Sequence, residues 1–279
     1  MSRSKIISIN NFVAIKVADK WRTAWKKSGF EFSVSGKRGC KKLGKFPRAW
    51  KRIFKEIKTN PFSRNDLNIF EVGCGGGNQL IMFALNGWKC VGLDCSKEVL
   101  ERAKNYIQEA SVICKNNLDV TFICEDFLNY APANDLKFDI VFHVGVLEHF
   151  LDESERLIFL KKMFGLAKPE GYVVSIVPSG VHPLRQKMRQ LKLGGYDIPE
   201  IDYDAFLIEK EFKQCGAKEM KIFPHNILGY FLIDNKNLII STFKRLVYYF
   251  FQIMPPFAMP PGFASKHAST LIGIAKKPI

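Results

Sequence analysis

The run Asn68-Ile69-Phe70-Glu71-Val72-Gly73-Cys74-Gly75-Gly76-Gly77 decides the fold. Ile69, Phe70 and Val72, β-branched or aromatic among its first five residues, predict a strand. The glycines that follow let the backbone turn tightly and lie against a ligand where a Cβ would intrude. Their spacing separates two readings. A dinucleotide fingerprint requires G-x-G-x-x-G, and counted from Gly73 the sixth position is Asn78, so that match is incomplete. Glu71, two residues before the first glycine, suits a positively charged group on the ligand better than a pyrophosphate.

Working outward, apolar runs alternate with segments of helical period, the pattern of βαβ units in a parallel sheet. A helix is expected from about Asn78 to Asn86, a strand from Lys89 to Leu93, and then Ser96 as N-cap of a helix with Val99, Leu100, Ala103, Tyr106 and Ile107 on one face. Val120 to Cys124 and Phe138 to His143 read as the third and fourth strands. Glu153 to Ala167 reads as a helix stopped by Pro169 and Gly171, and Tyr172 to Val177 as the fifth strand. A helix from about Tyr203 to Cys215 precedes a sixth strand, Glu219 to Phe223, and Thr270 to Ala275 is the candidate seventh. Residues 178–202 and 225–269 fall outside this alternation. As insertions near the carboxyl ends of strands, where open α/β sheets bind ligands, they are the expected substrate walls.

Acidic residues stand where such a sheet needs them. Asp94, seventeen residues past Gly77, closes the second strand, where a carboxylate can accept from both ribose hydroxyls. After the third strand comes Glu125-Asp126-Phe127, with Asp126 placed to accept from an adenine amino group and Phe127 to pack on the ring. The fourth strand runs into His143-Val144-Gly145-Val146-Leu147-Glu148-His149. These four segments, in this order, resemble the class I S-adenosylmethionine-dependent methyltransferases over about residues 66–178. The resemblance implies a Rossmann-like, mostly parallel seven-stranded sheet with helices on both faces and a reversed last strand. It implies S-adenosylmethionine as cofactor, held by Glu71, Gly73, Cys74, Gly75, Gly77, Asn78, Asp94, Cys95, Asp126, Phe127, His143 and Val144.

Methyl transfer is an in-line displacement, and a base is needed only where the acceptor must lose a proton. His149 and Glu148, after the fourth strand, and His143, one turn earlier, are the candidate catalytic residues, with His182 and His225 in the insertions as further histidines. Each of the first three also has a structural reading, as a satisfied hydrogen-bonding residue or a first-turn helix acid. No metal site is implied, because no second ligand stands at i+4 or in a comparable pattern. The Asp-Pro-Pro-Tyr sequence of amino-directed nucleobase enzymes, a cysteine nucleophile after the fourth strand and a double-Glu loop are all missing. A small-molecule or lipid-linked acceptor remains, with oxygen the favoured target atom.

Charge is unevenly placed. Residues 1–68 hold 18 of the 42 basic and 4 of the 27 acidic residues, so nearly all of the net charge of +15 lies in the first quarter of the chain. The sequence thus divides into a basic amino-terminal extension or lid, 1–65, and a catalytic domain, 66–279. Such an extension suits an anionic partner: nucleic acid, acidic lipid or a phosphorylated substrate. Phe46 to Ile57 places Trp50, Ile53, Phe54 and Ile57 at helical spacing with Lys51, Arg52 and Lys55 opposite, which fits a helix packed on the catalytic sheet or one touching a membrane. Trp21, Arg22, Trp25, Lys26 and Lys27, followed by Lys37, Arg38, Lys41, Lys42 and Lys45, mix aromatic and basic residues as nucleic-acid surfaces do. The aromatic and proline-rich stretch from Leu246 to Pro261 suits either a core helix and stiff loop or a pocket or bilayer-facing lip for an amphiphilic acceptor, such as a lipid-linked sugar or an isoprenoid-derived quinone precursor.

Seven scattered cysteines without a C-x-x-C pair suggest buried thiols in a reducing cytoplasm. Met1 to Lys20 lacks the continuous apolar core of a signal peptide, and Leu238 to Met254 is interrupted by Lys244 and Arg245. A cytoplasmic enzyme, with a peripheral membrane contact as an option, is expected. The alternatives are an RNA methyltransferase gripping its substrate with residues 1–68 and a non-catalytic cofactor-binding protein. Calorimetric titration should give saturable binding of S-adenosylmethionine and none of NAD; binding of neither would make the glycine turn purely structural.

Overall fold

The computed structural model describes residues 36–58, 67–132, 136–190, 198–232, 238–254 and 258–278, with only the backbone at 36–38 and 238. The cluster Trp21, Arg22, Trp25, Lys26 and Lys27 lies outside these residues, as do Pro255, Pro256 and Phe257. So do the side chains of Lys37 and Arg38.

Seven strands form one sheet in the order β3-β2-β1-β4-β5-β7-β6: β1 Asn68–Val72, β2 Lys89–Asp94, β3 Val120–Cys124, β4 Phe138–Val144, β5 Ala167–Pro178, β6 Met220–Ile227 and β7 Ala268–Lys276. β1 pairs parallel with β2, and β2 with β3. β7 runs antiparallel to both β5 and β6, which is the reversed last strand. The chain divides into two compact units, with the boundary between Ile140 and Val141 inside β4.

The first unit is built on β1 to β3. Helices α1 (Gly36–Leu43), α2 (Arg48–Glu56), α3 (Asn78–Ala84) and α4 (Lys97–Cys114) belong to it. The Ser96 hydroxyl accepts from the Val99 amide and caps α4, and Val99, Leu100, Ala103, Tyr106 and Ile107 are buried as their spacing predicts. The α2 reading resolves in favour of packing. Trp50, Ile53 and Phe54 are almost fully buried, while Lys51 and Lys55 stay exposed. The Trp50 ring meets Phe83 edge-on at 4.7 Å and its indole N–H donates to Gln79 Oε1 at 2.9 Å. Phe46 and Phe54 close on Trp88. The apolar face of this basic helix is therefore core and is not available to insert into a membrane.

The cysteines depart from expectation. Cys40 of α1 and Cys114 of α4 form a disulfide across a separation of 74 residues. Of the remaining five, Cys74 and Cys90 are buried, but Cys95 and Cys124 are exposed. Sequence spacing could not show that pair, because only the packing of α1 against the end of α4 brings the two sulfurs together.

The second unit contains β5, β6 and β7 with α5 (Glu153–Leu166), α6 (Pro183–Gln190), α7 (Ala205–Gln214), α8 (Leu238–Ile253) and α9 (Phe263–His267). β5 starts five residues before the expected Tyr172 and passes through Pro169 and Gly171. The antiparallel partner explains this: past Lys276 the chain still pairs, with the Lys277 amide donating to the Gly171 carbonyl and the Glu170 amide to the Lys277 carbonyl. Glu170 takes a positive φ of 65° to allow it. The insertions hold α6, α8, α9 and a 3-10 turn at Gly229–Leu232. Trp50→Ala should lower stability by about 3–5 kcal/mol in chemical denaturation, the loss expected for truncating a fully buried tryptophan; a change near zero would mean that α2 is not part of the core.

Candidate functional site

In the first unit the glycine turn is tied to the end of β2. The amides of Gly73 and Cys74 both donate to the Leu93 carbonyl, at 2.7 and 3.0 Å. Gly73, Gly75 and Gly77 all have positive φ, which side-chain-bearing residues adopt at a cost. Gly92 of β2 permits the close packing beneath, since a Cβ there would sit 2.5 Å from Leu80 and 2.8 Å from the Cys74 sulfur.

Two carboxylates converge on this turn. Asp94 Oδ2 accepts from the Gly75 amide at 3.0 Å and Oδ1 from the Ser96 amide at 2.9 Å, leaving lone pairs on both oxygens for a vicinal diol. Burial raises its pKa in spite of these bonds. Glu71 is 3% exposed, and its Oε2 has no hydrogen-bond partner. Burial, and then the nearby Asp94, hold its pKa well above the carboxylate range. A buried carboxyl group without a compensating charge fits an incoming ammonium or sulfonium group.

The adenine end is less as expected. The Asp126 side chain accepts from the Leu128 amide at 2.9 Å and lies near Cys95, whose thiol is pushed up by partial desolvation and by the neighbouring Asp94 and Asp126 although the residue reaches the surface. Phe127 does not offer a free face: it is buried, with its ring 6.3 Å from that of Phe70. Asn78 and Cys95 are exposed, Cys74 buried.

Residues 70–175 match the family model described as a methyltransferase domain. Over these residues the chain carries a methyltransferase domain, and its fold is similar to that of S-adenosylmethionine-dependent methyltransferases. It is 27% identical over 153 residues to a ubiquinone biosynthesis O-methyltransferase of Serratia proteamaculans, covering 47% of this chain and 60% of that protein. It is 25% identical over 233 residues to a protein of the same description from Rickettsia bellii, covering 84% of this chain and 82% of the other. Among solved structures, an S-adenosylmethionine-dependent methyltransferase from Archaeoglobus fulgidus shares the fold with TM-score 0.51 at 14% identity, over 82% of this chain and 99% of that one. A methyltransferase from Methanosarcina mazei does so with TM-score 0.54 at 15% identity, over 77% and 94%. S-adenosylmethionine is the cofactor of this methyltransferase fold, and the glycine turn, Glu71 and Asp94 have the donor set and burial to hold it.

The second unit holds the candidate acid–base groups. His143 is overturned as a catalytic residue. Its ring is completely buried, Nε2 lies 2.7 Å from Ser175 Oγ, and burial brings its pKa down to about 3. It meets Phe159 edge-on and stays neutral inside the core. Val144, next along, is exposed.

Glu148 and His149 sit in a 3-10 turn, Leu147–His149, rather than at the start of a long helix. Glu148 is 2% exposed, with Oε2 unpartnered. Burial, reinforced by Glu200 and partly relieved by Arg185, pushes its pKa up to about 8. His149 Nε2 lies 3.9 Å from Glu148 Oε1.

Sequence reading missed the surroundings of this pair. The Ile201 amide donates to the Glu148 carbonyl at 2.8 Å, which puts Glu200 beside it. One ligand atom each from Glu148, His149 and Glu200 lie within 4.8 Å of one another, a spacing that could accept a cation. The Arg185 guanidinium, with Nη2 2.8 Å from Glu200 and Nη1 3.1 Å from the Tyr230 hydroxyl, already brings a positive charge there. His182 is buried and its Nδ1 accepts from the Leu184 amide, so it stabilises the start of α6. The loop after His149 is fixed by Arg156, which donates to the carbonyls of Phe150 and Leu151 and, at 2.7 Å, to buried Glu211. No local pattern in the sequence announces pairs 52 or 55 residues apart. Asp94→Ala should weaken S-adenosylmethionine binding by about 1–3 kcal/mol, the cost of losing a half-buried hydrogen-bonding carboxylate; calorimetry giving unchanged affinity would remove Asp94 from the cofactor site.

Proposed function

We propose that the protein transfers the methyl group of S-adenosylmethionine to a hydroxyl oxygen of a small, amphiphilic acceptor. The observation that carries this reading is Glu148: a buried carboxyl, tuned to about 8, beside His149. Amine acceptors that arrive unprotonated need no base, whereas a hydroxyl must lose its proton as the oxygen–methyl bond forms. When bound, the cofactor supplies an electrophilic methyl carbon and a neutral thioether leaving group. Glu71 and the glycine turn hold its charged end and Asp94 its ribose, while Glu148 takes the acceptor's proton directly or through His149. A group with a pKa near working pH is suited to that exchange.

The curated relatives from Serratia and Rickettsia are described as O-methyltransferases of ubiquinone biosynthesis, which supports both the oxygen and an acceptor with an apolar tail. Of the other readings, the RNA grip loses the amphipathic helix α2, whose apolar face is core. The rest of its aromatic and basic residues lie largely outside the described chain.

Incubation with labelled S-adenosylmethionine and a cell extract should place label in small, organic-soluble products. With that acceptor, kcat/KM should rise with pH as Glu148 ionises and level off above about 8. Glu148→Gln should abolish this limb and lower the rate by about 10²- to 10⁴-fold. Label confined to RNA, or an unchanged pH profile in the variant, would overturn the proposal.

A further inference from the structure

We propose that the outward face of α8 docks the protein on an anionic lipid surface. This goes beyond the methyl-transfer reading and does not depend on it. Ile239, Phe243, Leu246, Phe250 and Ile253 recur at intervals of four, three, four and three, so they share one stripe along the helix. All five are exposed, from 54% at Phe250 to 80% at Ile239, and Ile240 and Tyr249 widen the stripe. So many large apolar side chains turned to solvent on one helix mark an interaction surface.

The other side of α8 is fastened to its own unit. The Tyr248 hydroxyl donates to Asn226 Oδ1, Gln252 Nε2 donates to the Ile227 carbonyl at 2.7 Å, and Phe251 stacks on Phe263 at 5.2 Å. Lys244 lies over the Phe231 ring. The helix is thus held in place with its stripe outward.

A second copy of the helix would also suit the four-three spacing, but paired helices choose one another through opposite charges beside the seam. Residues 238–254 contain Lys244 and Arg245 and no acidic residue, so self-pairing brings only like charges to the contact. An anionic bilayer accepts both features. Arg245 is exposed beside the stripe, and tyrosines and phenylalanines are suited to the headgroup boundary and the apolar layer beneath it. At ~1.5 Å per residue the helix is about 24 Å long, less than the ~30 Å hydrocarbon layer. No helix among the described residues is long and apolar enough to cross a membrane. The geometry is that of a helix lying in the plane of the interface.

The test is flotation of the full-length protein with vesicles of phosphatidylcholine alone and of phosphatidylcholine mixed with phosphatidylglycerol. Binding is expected to the mixed vesicles and to weaken with added salt. Phe243→Ser with Phe250→Ser should reduce partitioning about tenfold or more, and Arg245→Glu alone should reduce it on anionic vesicles. Calorimetry with S-adenosylmethionine checks that each variant remains folded. Failure of the parent protein to float with either vesicle, or flotation unchanged in both variants, overturns the proposal. So does a dimer, seen by analytical ultracentrifugation, that the serine variants dissociate.

Discussion

The Leu93 carbonyl, accepting from both Gly73 and Cys74, is the constraint on which the cofactor half of the molecule depends. It folds the chain back at the end of β1 and brings Glu71 and Asp94 to the same turn. Nothing larger than glycine fits at Gly92 beneath it without displacing Leu80 or Cys74. Three residues with positive φ follow within five positions. The price is two carboxyl groups drawn out of water, both with raised pKa. A cationic ligand with a vicinal diol would suit that arrangement.

In the second unit the comparable role falls to buried ion pairs. Arg156 and Glu211, both almost fully buried, link α5 to α7, and the same guanidinium ties down the carbonyls of Phe150 and Leu151. Tyr203 completes the group by donating to Glu211 at 2.7 Å. Removing one member would leave a buried charge unpaired, a larger loss than the net value of the pair. The turn that carries Glu148 and His149 is therefore held between two fixed points, the Arg156 network on one side and the Ile201 amide on the other. Gly180 lets the chain after β5 lie against the 202–203 segment, since a Cβ there would meet Asp202 at 2.4 Å and its amide donates to the Tyr203 carbonyl.

The two helices with the same amphipathic, basic signature come to opposite ends. α2 buries its aromatic face against Phe83 and Trp88, whereas α8 turns its apolar stripe outward. Periodicity gives the width of an apolar face in either case. It does not say whether the rest of the chain has a surface to cover it.

The alternation of strands and helices, the glycine turn, the position of Asp94 and the Ser96 cap were legible in the amino-acid order, because each depends on residues within a turn or two of one another. Strand ends were misplaced where a distant partner extends the ladder, as at Pro169 and Gly171 against Lys277. Long-range packing places His143 in the core, Phe127 on Phe70 and Cys40 against Cys114. It also placed Glu200 and Arg185 around Glu148. A residue's spacing fixes which way it points along its own element, but its pKa and its partners are set by what other segments bring within a few ångströms, and that is a property of the folded chain alone.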